Sequence, residues 1–311
     1  MIVKDGTFRQ MRKLEGANVF LTGAASGIGR QIALQLASLK CRLLLVDCDQ
    51  NGLDEVAEQS VALGAVVSTY CCDLANRDQV EQTVMAALRD SEVIDVLINN
   101  AGVAYYGSTH QMTQEKWDWL MSVNLLAPIQ ITQLLLPHLL KRPESHIVNM
   151  CSISGLVAGG RFAAYHTSKF GLIGFTESLR AEYRRSGIGV SAICPGPVQT
   201  DLYRSAERAT NDRSVPQPPA IVCASPQRVA SLTIKAIRRN RRMVLITPMA
   251  HGLFQLKRFL PGLLDVVSGL SRSKKRRYQE RLRREEERLA ALHGTVSDHS
   301  VVEGDLPGHA A

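Results

Sequence analysis

The feature that most constrains the fold of this chain is an alternation of short apolar runs with helix-like stretches, repeated from residue 19 to about residue 246. In the first unit, an apolar run at 19–21 is followed by turn glycines, a helix-like stretch at 28–39 and an apolar run at 42–46. A strand, a helix and a strand within about 30 residues form a βαβ unit. The apolar runs are continuous, which is typical of strands buried on both faces of a parallel sheet.

The same alternation predicts the remaining elements. Further strands are expected at 66–71, 93–98, 146–150, 189–193 and 243–246, and further helices at 53–63, 78–89, 113–125, 129–140, 164–186 and 225–239. This order favours an α/β fold, namely a three-layer, doubly wound Rossmann fold with a mostly parallel seven-stranded sheet and a helical C-terminal extension. Because ligands bind such sheets at the carboxyl ends of the strands, we expect functional residues directly after each strand.

Composition divides the chain into four segments. We predict an N-terminal arm at 1–13, an α/β domain at 14–248 with a lid at about 202–224, an amphipathic and charged helical extension at 249–290, and a disordered tail at 291–311. The lid follows a strand end, where a segment over a substrate would lie. Apolar residues at helical spacing in 249–270 fit packing on the body, a cover over the cleft, or contact with a membrane surface. The charge run that follows is typical of a solvated helix.

Charge and cysteine usage narrow the classes of partner. The net charge is +8, but most of the excess lies in residues 271–290, and the body has no basic stripe, which argues against nucleic acid. The seven cysteines lack zinc-ligand spacing, so we predict no metal site and reduced thiols in a reducing compartment such as the cytoplasm. The N-terminus lacks the apolar region of a secretory signal, and no uncharged apolar run reaches the length of a membrane span.

The first strand is followed by the glycine-rich turn Thr22-Gly23-Ala24-Ala25-Ser26-Gly27-Ile28-Gly29. Glycines in such a turn let the backbone pass close to a pyrophosphate, and the N-terminus of the helix attracts the anion. The candidate contacts to a dinucleotide are Gly23, Ser26, Gly27, Ile28 and Gly29. An ordinary tight turn is the alternative, because the spacing is G-x-x-x-G-x-G and not G-x-G-x-x-G.

Two acidic residues end the next two strands. Asp47 is suited to bind the ribose hydroxyls of adenosine and to repel a 2′-phosphate, which favours NAD(H) over NADP(H). Arg30 and Arg42 keep NADP(H) open, because a nearby cation would offset that repulsion. Asp73, followed by Leu74, ends the third strand and is suited to bond the adenine amine. A solvated loop carboxylate and a helix cap, respectively, are the alternative interpretations of the two residues.

The fourth strand ends in Asn99-Asn100-Ala101-Gly102. Small residues at this point let a cofactor lie close to the backbone, and the side-chain amides would tie the strand to its neighbours. Asn100, Ala101 and Gly102 are therefore candidate cofactor contacts. A purely structural turn accounts for the same residues, and both roles are compatible.

Chemistry is indicated by Tyr165 and Lys169, which lie one helical turn apart. An ammonium beside a tyrosine favours the phenolate, which makes Tyr165 a workable general acid or base. Such a pair is common on helix surfaces and does not by itself indicate catalysis. The catalytic interpretation depends on Ser152, which lies at the end of the preceding strand. The Ser152 hydroxyl would hold the substrate oxygen, and Asn124 would hold a water molecule against Lys169.

Together these residues resemble the short-chain dehydrogenase/reductase family in its single-domain form, over roughly residues 14–247. The resemblance rests on Thr22-Gly23-x-x-x-Gly27-Ile28-Gly29, Asp73, Asn99-Asn100-Ala101-Gly102, Asn124, Ser152, Tyr165-x-x-x-Lys169 and Pro195-Gly196. It implies a catalytic tetrad of Asn124, Ser152, Tyr165 and Lys169, with Tyr165 and Lys169 also contacting the cofactor. It further implies that Pro195, Gly196, Val198 and Thr200 flank the nicotinamide.

The resemblance implies an NAD(H)-dependent oxidoreductase that interconverts a secondary alcohol and a ketone, assembled as a homodimer or homotetramer. Apolar lid residues, with Tyr105 and Tyr106 after the fourth strand, favour a bulky lipophilic substrate such as a sterol, retinoid or long-chain alcohol. Simple packing of the lid is the alternative. An NADPH-dependent 3-ketoacyl-type reductase and a non-catalytic NADH-binding scaffold are the competing functions. We expect a cytoplasmic protein with peripheral membrane contact through 249–270.

Overall fold

The computed structural model describes residues 14–200, the backbone of residues 207–208, and residues 218–263. The predicted N-terminal arm, most of the lid, and the extension and tail beyond residue 263 lie outside the described residues. The chain divides into two compact units, residues 1–255 and residues 256–311. In the second unit the structure describes a short helical segment, in which Phe259 and Leu260 are exposed.

Seven parallel strands form one sheet in the first unit. They are β1 (Asn18–Thr22), β2 (Arg42–Asp47), β3 (Val66–Cys71), β4 (Val96–Asn99), β5 (Ser145–Met150), β6 (Ile188–Cys194) and β7 (Met243–Leu245). Their spatial order is β3-β2-β1-β4-β5-β6-β7, and every pairing between them is parallel. The doubly wound α/β prediction is therefore confirmed. The strand order reverses between β1 and β4, which is where such folds open a crevice for a ligand.

Helices cover both faces of the sheet. They are α1 (Gly27–Ala37), α2 (Gln50–Ala62), α3 (Arg77–Asp90), α4 (Gln114–Met121), α5 (Ala127–Leu140), α6 (Ala163–Glu182) and α7 (Pro226–Arg238). A last helix, α8 (Pro248–Phe259), follows β7 along the chain. Successive side chains of a strand point to opposite faces. In β1, Val19 and Leu21 pack with α1, α2 and α7, whereas Phe20 packs with α3 and α5 on the other face. These two apolar cores explain why the strand sequences are continuously apolar.

Helix starts follow local capping chemistry. The Ser225 side chain accepts a hydrogen bond from Arg228 N at 3.2 Å, and Pro226 opens α7, as the Ser-Pro pair predicts. The Asn76 side chain caps α3 in the same way. These caps fix where the helices leave the loops that follow β3 and β6.

The two helices predicted at 113–125 and 129–140 are joined in the structure, which corrects the sequence interpretation. A π-helical turn at Ser122–Leu126 connects α4 to α5 without a break. Pro128 lies in the first turn of α5, directly after the π-helical turn, and has no amide hydrogen to donate within the continuous helix. By length and composition alone, the continuous helix Gln114–Leu140 would pass as a membrane span. Its side chains at Ile131 and Leu135 are instead buried in the core of this domain.

Candidate active site

A groove of about 420 Å³ opens at the carboxyl ends of the strands. Its lining includes Gly23, Ser26, Gly27, Ile28, Asp47, Asp73, Leu74, Asn100, Ala101, Gly102, Ser152, Tyr165, Lys169, Pro195, Gly196, Val198 and Thr200. The structure thus brings nearly all the residues selected from the sequence to one cavity. Gly29 and Asn124 lie behind its wall.

The glycine-rich turn packs tightly on the end of β4. Gly23 has a φ of +66°, and a Cβ built on it would lie 2.7 Å from Ala101 Cα. A Cβ on Gly29 would collide with the carbonyl oxygen of Gly23. The Asn100 amide donates to Thr22 O at 3.1 Å and to Gly23 O at 3.0 Å. The glycines therefore leave the backbone open toward the groove while the turn is held from behind.

Asp47 lines the groove at the end of β2. One carboxylate oxygen accepts from Ala25 N at 3.0 Å, and the other accepts from Asp49 N at 3.2 Å. The carboxylate thereby ties the glycine-rich turn to β2 while facing the cavity.

The two arginines that would favour a 2′-phosphate have other partners. Arg30 forms an ion pair with Glu55 at 3.5 Å. The Arg42 guanidinium donates to Asp90 O at 2.8 Å. Neither arginine belongs to the groove lining.

Asp73 and Leu74 line the groove after β3. The Asp73 carboxylate accepts from Ala75 N at 2.9 Å. The helix cap of α3 is supplied by Asn76, so helix capping does not account for Asp73.

Tyr165 and Lys169 lie on one face of α6, and the Lys169 ammonium is 5.8 Å from the centre of the tyrosine ring. Lys169 is 3% exposed and donates to Met150 O at 3.0 Å. Burial lowers the pKa of its ammonium from the ordinary value. Across the groove, the Ser152 hydroxyl oxygen accepts from Ser154 N at 3.1 Å. A tyrosine hydroxyl, a lysine ammonium and a serine hydroxyl thus belong to the lining of one groove.

Asn124 is completely buried in the π-helical turn. Its side chain accepts from Val103 N and donates to Val103 O, both at 2.8 Å. The amide also donates to Ser168 Oγ at 3.2 Å. A Cβ built on Gly102 would lie 3.3 Å from Asn124 Oδ1 and 3.5 Å from Lys169 Nζ, so both polar groups border the same small space.

The loop after β6 completes the groove. Gly196 is packed against Thr247, and a Cβ at this glycine would collide with the threonine hydroxyl. A Cβ on Gly27 would lie 3.3 Å from the methyl group of Thr200, so this loop lies over the glycine-rich turn. Val198 forms an isolated parallel bridge with Ala224, which anchors the loop.

Val103, which we expected at the apolar mouth after the fourth strand, does line the groove, whereas sequence reasoning missed these lining residues: Cys48, Cys72, Trp119, Val123, Met150 and Cys151. Most of these are chain neighbours of selected residues, as Cys48 is of Asp47, so adjacency was an available signal. No such signal pointed to Trp119, because a tryptophan in an amphipathic helix is usually interpreted as a core residue.

The expected apolar mouth is corrected in part. Tyr105 is buried in a cluster with Leu120 and Ala164 and does not face a pocket mouth. Tyr106 packs on Phe162 with ring centres 5.0 Å apart, and the Phe162 ring meets the Tyr165 ring edge-on at 6.3 Å. The backbone of 207–208 pairs with residues 105–106, so the lid is tied to this aromatic cluster. The remaining apolar lid residues before Pro218 lie outside the described residues.

Comparisons with known proteins agree with this geometry. The family model described as "short chain dehydrogenase" matches residues 17–211. The chain is 32% identical over 248 residues to ketoacyl reductase HetN of Nostoc sp., covering 79% of this chain and 84% of that protein. It is also 32% identical over 248 residues to 17-beta-hydroxysteroid dehydrogenase 13 of Mus musculus, covering 79% of this chain and 78% of that protein.

Solved structures are similar over most of the chain. A short-chain dehydrogenase/reductase from Burkholderia phymatum, determined with NAD, has a TM-score of 0.73 at 28% identity and covers 82% of this chain and 97% of its own. A metagenomic short-chain oxidoreductase, determined with NADP, has a TM-score of 0.64 at 30% identity and covers 75% of this chain and 98% of its own. With the match of the family model, these similarities show that the chain belongs to the short-chain dehydrogenase family.

Proposed function

We propose that the protein is an NAD(H)-dependent oxidoreductase that interconverts a secondary alcohol and its ketone, with Asn124, Ser152, Tyr165 and Lys169 as the catalytic groups. The observation that carries the proposal is the convergence of Tyr165, Lys169 and Ser152 on a groove that also contains the glycine-rich turn. An oxidoreductase of CH–OH and keto groups is the activity expected of this family. The intact set of groups argues against a non-catalytic NADH-binding scaffold.

A dinucleotide would fit the groove because the glycines let the turn between β1 and α1 pack closely on its neighbours, so that its backbone can approach the phosphates. Gly23 and Gly27 both have positive φ, and added side chains there would meet Ala101 and Thr200. The free amides at the start of α1 offer donors to a pyrophosphate. Asp47 would hold the adenosine ribose at one end, and Lys169 would hold the nicotinamide ribose at the other. When bound, the nicotinamide ring supplies or accepts the hydride.

The residues of the chain then handle the proton. The Ser152 hydroxyl donates to the substrate oxygen, because its own oxygen already accepts from Ser154 N. In ketone reduction the Tyr165 hydroxyl would give its proton to the carbonyl oxygen, and in alcohol oxidation the Tyr165 phenolate would take the proton of the alcohol. The nearby Lys169 ammonium stabilises the phenolate that forms. Asn124 would hold the water molecule through which the proton leaves toward solvent.

A preference for NAD(H) follows from the charges around the ribose site. The 2′-phosphate of NADP(H) would lie beside the Asp47 carboxylate, and these two negative charges would repel each other. Arg30 and Arg42 point to other partners, so they do not offset that repulsion. The same charges count against the competing NADPH-dependent ketoacyl reductase.

A bulky lipophilic alcohol, such as a sterol, retinoid or long-chain alcohol, is the substrate class that the aromatic cluster favours. Tyr106 and Phe162 extend apolar surface from the Tyr165 ring toward the lid. By their names, one relative is a ketoacyl reductase and another is a hydroxysteroid dehydrogenase, and the second name supports a sterol-type substrate.

The protein is further proposed to be a cytoplasmic homodimer or homotetramer with peripheral membrane contact. At the end of α8, Phe259 and Leu260 are exposed beside Lys257 and Arg258. Apolar side chains flanked by cations suit an anionic lipid surface. The rest of the proposed contact, residues 264–270, lies outside the described residues.

The first experiment follows nicotinamide absorbance with NAD⁺ and then NADP⁺ against 2-propanol, 2-octanol, estradiol and retinol. Reduction of NAD⁺ alone, fastest with the bulky alcohols, is the expected result. A preference for NADP⁺ would contradict the role of Asp47 and favour the ketoacyl reductase. Absence of turnover in both directions, with the corresponding ketones and retinal included, would favour the scaffold.

Tyr165→Phe provides the residue-specific test. Turnover should fall to background because the proton donor is lost, whereas NADH binding, followed by its fluorescence, should persist. Tyr183→Phe removes a hydroxyl beyond the C-terminal end of the same helix and is the matched control, with activity expected to equal that of the wild type. Loss of NADH binding in Tyr165→Phe would contradict the assignment.

A further inference from the structure

His166 follows the proposed catalytic tyrosine and bridges two points of the segment before α6. Its Nδ1 lies 2.9 Å from Ser154 O, and its Nε2 lies 2.9 Å from Gly159 N. A carbonyl oxygen only accepts and a backbone amide only donates. The imidazole must therefore be neutral, with its proton on Nδ1 and with Nε2 as an acceptor.

The bridge continues to the Ser152 hydroxyl. The Ser154 amide donates to Ser152 Oγ at 3.1 Å, while the carbonyl of Ser154 accepts from the His166 ring. Both backbone polar groups of Ser154 are therefore engaged, the amide by Ser152 and the carbonyl by His166. Any movement of the imidazole would shift the amide that orients the serine oxygen.

The rest of the segment is packed so that this movement is restricted. Ile153 N donates to Pro195 O at 2.9 Å, and a Cβ on Gly155 would lie 2.5 Å from Lys169 O. The Phe162 ring meets the imidazole edge-on, with centres 6.3 Å apart. Residues 158–160, in contrast, are exposed. The hydrogen bond from Gly159 to the imidazole is thus the contact that closes the exposed end of the segment.

We propose that His166 is a positioning residue for the reaction: it fixes the segment 154–159 on α6 and, through the Ser154 peptide, orients the Ser152 hydroxyl toward the substrate oxygen. The imidazole does not itself touch the reacting atoms. The part of the proposal that concerns Ser152 rests on the proposed function. The fixing of the segment is independent of it.

The first test needs no substrate. Among the described histidines, His166 and His251 should both carry a proton on Nδ1, because each Nδ1 faces a backbone carbonyl oxygen. In ¹⁵N spectra of the protein labelled at histidine, only the His166 signal should be missing from His166→Gln. Backbone hydrogen exchange of 153–160 should accelerate about 10-fold in His166→Leu, the effect of losing roughly one hydrogen bond. Thr167→Ala, which removes a neighbouring hydroxyl bonded only to Ala163 O among the described contacts, should leave this exchange unchanged. Unchanged hydrogen exchange of the amides of 153–160 in His166→Leu, or a His166 ring protonated on Nε2, would overturn the proposal.

Two conservative variants separate the two hydrogen bonds. His166→Gln can place an amide oxygen near the former Nε2 and should keep the Gly159 amide protected. His166→Asn can donate from the position of Nδ1 and should keep the Ser154 contact while exposing Gly159. Equal protection of the Gly159 amide in the two variants would contradict the bridge. Circular dichroism establishes that both variants are folded.

Coupling to Ser152 is tested by a double-mutant cycle. With the panel alcohol that the wild type oxidises fastest, His166→Leu should lower kcat about 10- to 100-fold, as small misplacements of catalytic groups do, with the NADH dissociation constant unchanged. In the Ser152→Ala background the further loss should be less than about 2-fold, because residues acting as a unit are not additive. Equal losses in both backgrounds would overturn the coupling. A second cycle uses the hydrogen-exchange rate of the Ser154 amide in the wild type, His166→Leu, Ser152→Ala and the double variant. Because hydrogen exchange needs no turnover, this cycle can be measured even if the proposed function is wrong.

Discussion

At the scale of single residues, the site depends on polar groups held in places that are costly for folding. Lys169 is buried at 3% exposure, and burial lowers the pKa of its ammonium. The hydrogen bond to Met150 O replaces part of the lost hydration. Such a group stabilises a phenolate in the groove better than a solvated lysine would, because the field of a buried charge is less screened.

Lys169→Met is therefore expected to stabilise the protein while abolishing turnover. Removing the buried ammonium should raise Tm by about 2–4 °C for each kcal/mol gained. The gain should shrink as the pH rises. The folded protein releases the lysine proton at a lower pH than the unfolded chain, so the stability of the wild type increases between the lowered pKa and the ordinary value near 10.4.

Calorimetry of the nucleotide-free protein at pH 7 and pH 10 checks this prediction. A lower Tm for Lys169→Met at pH 7 would show that the ammonium stabilises the fold and would contradict it.

Burial of His146, which lies away from the site, predicts a pH dependence of the free energy of unfolding. Its Nε2 lies 2.9 Å from Ser191 Oγ, and burial lowers the pKa of the imidazole to about 3. Between about pH 6.5 and pH 3 the unfolded chain binds a proton that the folded protein does not, so stability falls as the pH falls through this range. From pH 6.5 to pH 5 the loss should be about 2 kcal/mol.

His146→Gln keeps a donor near Ser191 but does not titrate. Urea unfolding at pH 6.5 and pH 5 measures the free energy of unfolding of the wild type and the variant. Other groups should lower this free energy equally in both proteins, and the additional decrease at pH 5 should occur in the wild type only. Parallel losses in the two proteins would mean that His146 is charged, or equally accessible, in the folded state.

At the scale of elements, the site is assembled from the junctions between strands and helices. The glycine-rich turn between β1 and α1 is held from behind by Asn100 and from the side by Asp47. The π-helical turn between α4 and α5 inserts Asn124 against the backbone of Val103. Because each junction is fixed by a neighbouring junction, a change in one turn should disturb the whole groove.

Gly29→Ala tests this dependence. The added methyl group would collide with Gly23 O, so the turn must open and NADH binding should weaken at least about 10-fold, equivalent to roughly 1.4 kcal/mol. Gly174→Ala is the matched control: this glycine lies exposed in α6 with nothing within 4 Å of the added Cβ. The control should raise the free energy of unfolding by about 0.5–1 kcal/mol through helix propensity.

NADH fluorescence titration and urea unfolding of both variants distinguish the cases. Unchanged NADH affinity in Gly29→Ala would show that the turn tolerates a side chain and does not approach the cofactor closely.

At the scale of the whole molecule, apolar side chains remain exposed on the helices that cover one face of the sheet. Leu126 is 54% exposed and Phe170 is 38% exposed. Both lie on the α5–α6 side of the sheet, which we propose as the contact between subunits. Burial of these side chains between two copies would remove apolar surface from water.

Phe170→Glu is accordingly expected to dissociate the assembly, because a carboxylate would be buried in the contact. Sedimentation should give a multiple of 34.2 kDa for the wild type and a single chain for the variant. Val61→Glu places the same charge on a more exposed apolar position of α2 and should leave the assembly intact. A monomeric wild type would contradict the proposed assembly.

The sequence by itself determined the order of strands and helices, the parallel sheet, and the residues that follow each strand. These features are encoded locally: continuous apolar runs, helical periodicity, glycines in a turn and a Ser-Pro helix start each depend on neighbours in the chain. Asp47, Ser152 and Tyr165 could be selected for this reason, since a strand end or one helical turn defines their positions.

Only the tertiary structure decided how these local features meet. The π-helical turn forms because Asn124 bonds to the backbone of Val103, a partner from another part of the chain. Trp119 reaches the groove, and Tyr105 is buried away from it, because α4 packs beside the loop that follows β4. The bridge made by His166 likewise depends on how the segment 154–159 folds back on α6. Contacts between distant residues are set by packing, and the periodicity of a single sequence does not record them.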